Sequence, residues 1–286
     1  MSDMRRRGRL LVAAAIAFTA ATHAAALHGQ TMRTLTSSRQ LWDEEPLTVE
    51  VEYGAGTLEV RPLQDQDLLY RMEMRYDAER VSPVAEFDTA RRVLELGSRF
   101  HRRGGPDHEK SKAEIELTDR VPLDLGLHFG AGSAEMDLGG LRIQNLQLET
   151  GASETTLRIG TPNPIAARRV ELKAGAAELN VVGLGNLRAE ELVFQGGVGS
   201  TTLDFSGAWN RNATAHVQMG MGEVVLRFPR SLGVRIDRSS FLTSFDAEGF
   251  QRRDDAYFSD NWNSASHQLT VDVEAAFGAV EIEWID

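Results

Sequence analysis

From Leu123 to Phe228 apolar and polar residues alternate in short runs, and each pair of runs meets at Gly-x-Gly or a close variant. Two outlying copies flank this stretch, at Gly54 and at Ala276-Phe277-Gly278. Three residues before the first turn position stand Val51, Leu127, Leu148, Leu172, Phe194, Val217 and Val273. Two residues earlier come Val49, Leu125, Leu146, Val170, Leu192, Ala215 and Val271. The residues between these two columns are mostly polar, and so are those that follow them: Glu52, His128, Glu149, Lys173, Gln195, Gln218 and Glu274. A period of two predicts strands with one face inward.

The half after the turn has the same pattern. Val60, Met136, Leu157, Val181, Leu203, Leu226 and Ile282 form its apolar column, and Arg61, Asp137, Arg158, Val182, Asp204, Arg227 and Glu283 its outward one. The first turn glycines, Gly130, Gly151, Gly175, Gly197 and Gly220, are 21, 24, 22 and 23 residues apart. A repeat of that length cannot bury its own apolar face and must stack on its neighbours. The fold predicted is all-β, a β-solenoid of two-strand coils repeating every 21–24 residues. Alternating signs in the outward column predict a solvated ladder that fixes register. The glycines serve turns that need positive φ or close backbone approach. A phosphate cradle is excluded, because it requires a helix after the glycines and here a strand follows.

The rest of the chain divides around this core. Arg5, Arg6, Arg7 and Arg9 precede an apolar run, Leu10 to Ala26, ending in three alanines. Residues 1–26 therefore read as a signal peptide, with a retained anchor as the alternative. Residues 27–46 read as a linker and 47–122 as an N-terminal β region, with strands at Leu68–Tyr76, Arg92–Leu96 and Ala113–Leu117. Residues 123–228 carry the regular repeats. Residues 229–286 hold a capping segment, with Phe241, Phe245, Phe250, Tyr257, Phe258 and Trp262, and then the final repeat. The cap reading competes with an aromatic groove for sugar.

The chain has 286 residues, no cysteine and a net charge of −11. Without cysteine there is no disulfide, thiolate nucleophile or Cys-bound zinc. Removing residues 1–26 takes away four Arg and one Asp and leaves −14, an argument against nucleic acid and anionic lipid. No nucleophile elbow, HExxH or P-loop is present, and no carboxylate pair stands apart from its neighbours. The expectation is no enzyme, no cofactor and no metal. The segment 99–112 is basic within this acidic chain and has Gly104-Gly105-Pro106 at its tip. His101, Asp107, His108 and Glu109 lie there without a spacing that fixes ligands. Arg99, Arg102 and Arg103 are the expected contact for an acidic envelope protein or an anionic wall polymer.

The tail from GVRID through GFQRRDDAYFSDNWNSASHQLTVDVEAAFGAVEIEW resembles the C-terminal region of LiaF-like cell-wall-active antibiotic response proteins. The upstream GAG-type copies resemble the associated toast-rack domain and adhesin-like β-solenoids. The resemblance implies an exported protein of the periplasm or cell surface that acts by contact, in envelope stress, with no catalytic residues. Peripheral membrane association fits it too. LiaF proper has several membrane helices before the domain, whereas here only the leader precedes it. The rival readings are an adhesin-like structural protein and a polysaccharide-acting β-helix enzyme.

Overall fold

The computed structural model describes residues 31–101, 111–246 and 248–286. The expected leader, residues 1–26, lies outside them. In chain order the strands are β1 (Met32–Gln40), β2 (Leu47–Pro62), β3 (Leu68–Asp77), β4 (Val81–Asp88), β5 (Val93–Phe100), β6 (Lys112–Leu117), β7 (Pro122–Asp137) and β8 (Arg142–Arg158). They continue with β9 (Arg169–Val182), β10 (Glu191–Asp204), β11 (Ala213–Pro229), β12 (Gly233–Asp246), β13 (Phe250–Arg253), β14 (Ala256–Ser259) and β15 (Gln268–Ile285). One 3-10 turn, Leu184–Leu187, is the sole helical element among the described residues.

The long strands stack in parallel in the order β2, β7, β8, β9, β10, β11, β15, β12. From β2 to β15 each continues through its Gly-x-Gly or variant, so one strand supplies both halves of a coil. The seven repeats identified by alternation are direct neighbours and in register. Val51, Leu127, Leu148, Leu172, Phe194, Val217 and Val273 are successive partners, as are Val60, Met136, Leu157, Val181, Leu203, Leu226 and Ile282. Both columns are buried in one continuous core. Each such side chain is worth roughly 1.5–3 kcal/mol of apolar burial.

The turn glycines are required by how closely the coils approach. A Cβ on Gly197 would stand 2.6 Å from the Gly175 carbonyl oxygen, and one on Gly220 2.6 Å from that of Gly197. No side chain tolerates such contact with backbone. At the third turn position Gly199 and Gly222 also have φ of 140° and 136°. Ser153 and Ala177 occupy that position in β8 and β9 without positive φ, and there the ladder skips the bend, passing from Thr150–Ala174 to Glu154–Glu178. The hydroxyls of Thr150, Ser153 and Thr155 bond to one another inside this bend.

Return loops close the core with Leu138, Leu141, Ile159, Ala167, Leu184 and Leu187, all buried. Two asparagines satisfy the buried loop backbone, as the interior demands. Asn163 Nδ2 donates to the Ile143 carbonyl at 2.8 Å and its Oδ1 accepts from the Ile143 amide at 3.1 Å. Asn186 Nδ2 donates to the Ile159 carbonyl at 2.7 Å, and its Oδ1 accepts from the Ala208 amide at 2.9 Å.

Both ends of the stack carry additional strands. β5 pairs with the first half of β2 and β6 with the second, which makes a further coil; antiparallel β4 covers β5, and β3 then β1 cover β6. At the other end β12 lies on β15, followed by antiparallel β14 and β13. Bare sheet edges are thereby moved away from the regular coils.

Three expectations are corrected in detail. The span 27–46 is not linker throughout, because β1 begins at Met32; its alternation pairs with β3 from Met32–Asp77 to Gln40–Leu68, contacts that sequence spacing alone does not show. β4 was not foreseen between the strands of the N-terminal region. The outward ladder after the turn is only partly a charge ladder. Arg227 pairs with Glu283 at 2.6 Å, but Asp137 and Asp204 accept from the Gly139 and Ser206 amides and serve as turn caps. In the capping segment the described aromatics pack on one another, in keeping with a cap: Phe245 lies near Tyr257 (4.9 Å), Phe250 stacks on Trp284 (5.0 Å) and Phe258 meets Trp262 edge-on (5.7 Å).

Candidate functional site: a trough along the bend

A strand's outward side chains normally stand above the sheet at every second residue. At the bend one whole outward column is glycine: Gly54, Gly130, Gly151, Gly175, Gly197 and Gly220, with Ala276 in β15. At these glycines the coils approach too closely for a Cβ, and a shallow trough runs beside them across the strands, parallel to the stacking direction. One wall is the polar column two residues earlier, in register as Glu52, His128, Glu149, Lys173, Gln195, Gln218, Glu274 and Ser239. Past the glycines the middle turn residues form a separate column in register: Ala55, Ala131 and Ala152, then Ala176, Val198, Met221 and Phe277.

Two cavities occupy equivalent registers. One, about 350 Å³, is lined by Glu52, His128, Glu149, Gly54, Gly130 and Gly151. The other, about 620 Å³, is lined by Gln195, Gln218, Glu274, Ser239, Gly196 and Gly220.

In the first half the wall is charged and mutually paired. His128 lies between Glu50 (3.3 Å) and Glu149 (3.4 Å), and Lys173 bridges Glu149 (2.9 Å) and Glu171 (2.8 Å). Arg169 continues the network to Glu191 at 2.6 Å. The hydrogen bond from Lys173 holds both Glu149 and Glu171 below the usual carboxylate range, and Glu171 and Glu149 in turn raise Lys173. Beneath the floor Tyr53 stacks parallel to Phe129, and burial pushes its phenol up. At the extreme of this half the Phe100 ring lies over Gly54, where a Cβ would coincide with it.

In the second half the wall is an amide relay. Gln195 Nε2 donates to Gln218 Oε1 at 3.3 Å, and Gln218 Nε2 donates to Glu274 Oε2 at 3.1 Å. At the middle turn position Val198, Met221 and Phe277 are 54%, 52% and 46% exposed, in register on consecutive coils. Among the described residues no group of three or more His, Asp or Glu is placed to hold a metal. No described helix is long and apolar enough to cross a membrane.

The residues singled out in sequence fall elsewhere. Arg99 is on β5, not in a loop, and is bound by Glu95 (2.7 Å) and Glu86 (3.4 Å). Arg102 and Arg103 lie outside the described residues, as do Asp107, His108 and Glu109; His101 Nε2 meets Ser82 Oγ at 2.9 Å. The sequence showed the glycine column and the polar column separately, but the trough between them depends on the bend.

A family model described as the N-terminal domain of toast-rack, DUF2154, matches residues 28–182 and again 167–227. The same model thus fits twice along the stack, while 228–286 lie beyond it. Among solved structures, a provisionally named cell adhesion protein from Clostridium sporogenes is 18% identical, with 88% of this chain and 100% of that one covered and a TM-score of 0.43. A provisionally named adhesin from Bacteroides fragilis is 10% identical, covering 87% and 97%, TM-score 0.41. A provisionally named lipid-binding protein from Parabacteroides distasonis is 9% identical, covering 91% and 98%, TM-score 0.39. No curated protein matches the chain.

Proposed function

The chain belongs to the toast-rack family, and from that premise we propose an exported, non-enzymatic cell-envelope protein that offers its β-solenoid surface to a protein or polymer. The observation that carries this reading is the trough, an extended open surface repeating from coil to coil. Catalysis by acid and base needs a few titratable groups converging on one point. Here the charged groups of the first half are spent laterally on their neighbours, and the second half offers amides and one carboxylate. The basic n-region and Ala-rich run before residue 27 support export. A part in envelope stress response is the finer form of the proposal, drawn from the LiaF-like tail. Arg99, Arg102 and Arg103 remain within it as a contact for an acidic protein or an anionic wall polymer.

Fractionation of cells producing the full chain, with sequencing of the product's N-terminus, tests the reading. The expected product begins close to Leu27 and appears in periplasm or medium. Full-length chain in the cytosol overturns export; full-length chain in alkali-washed membranes replaces the cleaved form with an anchored one.

A further inference from the structure

We propose that the free edge of β1 pairs with the same strand of a second copy, antiparallel about Leu35, so that two racks share one continuous sheet. This goes beyond the binding role proposed above and does not depend on it.

β1 is the first strand of the sheet. β3 lies along one of its edges, and among the described residues no strand lies along the other. In an antiparallel ladder residues exchange both backbone bonds with the partner at every second position, so the remaining positions of β1 turn their N–H and C=O groups outward. Such a row is a template for another strand unless something blunts it. Elsewhere outer strands of this molecule are blunted: β13 has only four residues, and β4 contains Pro83, which has no N–H to offer. β1 has nine residues and no proline, and its one irregularity comes at its end, between Arg39 and Gln40.

The side chains say what fits on this edge. Leu35 is half-buried against the core, beside the buried Met74 of β3. A strand that sets an apolar residue opposite Leu35 therefore extends the core by one more step. Between Arg33 and Arg39 the strand reads Thr-Leu-Thr-Ser-Ser, without charge. A two-fold axis through the sheet at Leu35 sets Leu35 against the second copy's Leu35, Thr34 against its Thr36 and Arg33 against its Ser37. Moving the axis to Thr36 would set Arg33 against Arg39, and like charges directly opposite are destabilising. Moving it to Ser37 would set Leu35 against Arg39. The strand thus matches itself in one register, and a two-fold contact closes at two copies.

Sedimentation equilibrium of the protein as recovered from cells tests this over about 1–200 μM, the range in which a small interface becomes populated. A dimer is expected, its fraction rising with concentration. Thr34→Lys combined with Thr36→Lys sets lysine against lysine twice across the axis and should weaken dimerisation about tenfold. Thr34→Glu combined with Thr36→Lys sets opposite charges together twice and should restore it. On β3 these positions face Arg75 and Glu73, so the second combination suits the monomer as well. Because the chain has no cysteine, Leu35→Cys reports the register directly. Mild oxidation should link two copies through it, and Thr36→Cys should link far less. The inference fails if the double lysine variant dimerises as tightly as the parent, or if the Glu and Lys combination does not restore what it loses. A parent that stays monomeric throughout would leave the edge to a strand of another protein, and overturns the inference too.

Discussion

The two halves of the trough share a floor, a register and a core, yet they use their walls in opposite ways. Between β2 and β9 the wall is Glu52, His128, Glu149 and Lys173. Between β10 and β12 it is Gln195, Gln218, Glu274 and Ser239. Opposite charges one coil apart compensate each other and fix register, which is what a lateral ladder does. Neutral amides bonded along the column hold register with less electrostatic energy, because no pair of opposite charges is made. The β8–β9 bend, where Ser153 and Ala177 replace glycine and the ladder skips, is a seam one coil before the wall changes from Lys173 to Gln195. Stacking thus accounts for the common features, and only the walls separate the two sets of coils.

The strongest test of a shared core is truncation on either side of the seam. Leu157→Ala and Leu203→Ala, both buried in the same column, should each cost about 2–5 kcal/mol in denaturant unfolding. Thr202→Ala should cost under about 0.5 kcal/mol, since that side chain points outward. Unequal losses at the two leucines, or a large one at Thr202, would mean that the halves do not share one core.

The bend gives the next largest effect. Gly222→Ala places a Cβ against the Gly199 carbonyl at a φ of 136°, and should cost roughly 2–3 kcal/mol. Ala177→Gly, at the same position beside the seam, meets neither constraint and should change stability by less than about 1 kcal/mol. Similar costs at the two sites would erase the seam as a distinction.

The smallest effect separates the walls by pH. Glu149 and Glu171 have carboxyl pKa values lowered by Lys173, so their contribution to stability is complete above the ordinary value of 4.5 and is lost as pH falls through the folded value. Lys173, raised by the same partners, keeps its contribution below its ordinary 10.5 and loses it as pH rises through the folded value. Lys173→Met should therefore lower Tm slightly at neutral pH, less in high salt, with the difference vanishing in acid. Gln218→Ala should show neither dependence. A pH-independent Lys173→Met effect would show that the first wall is not held by charge.

How far the molecule was legible in its sequence follows from the same physics. Alternation reports which face of a strand is buried, and a constant interval reports which residues share a column; hence the register from Val51 to Val273 was readable residue by residue. Alternation does not report which strand is the neighbour. Nothing in the span 27–46 says that Arg33 and Leu35 lie beside Tyr76 and Met74, or that β5 and β6 form one coil. The site was half visible. Gly197, Gly220 and Gln218 were each accounted for as turn or ladder, and their joint effect on the surface depends on the angle of the bend. Arg99 shows the converse: its charge was conspicuous, whereas its place on β5 beside Glu95 and Glu86 was not.

β15 follows β12, β13 and β14 in the chain but is inserted between β11 and β12 in the stack. Synthesis runs in one direction, so β12 leaves the ribosome, or a secretion pore, before the strand it must rest upon. Until residues 268–285 arrive, β11 presents an unpaired flank and β12 has only its small antiparallel partners. The far end of the rack is thus assembled out of order, with its keystone delivered last. A chain interrupted after residue 260 would carry Phe250 without the Trp284 ring it stacks on, and β12 without the β15 flank it pairs with.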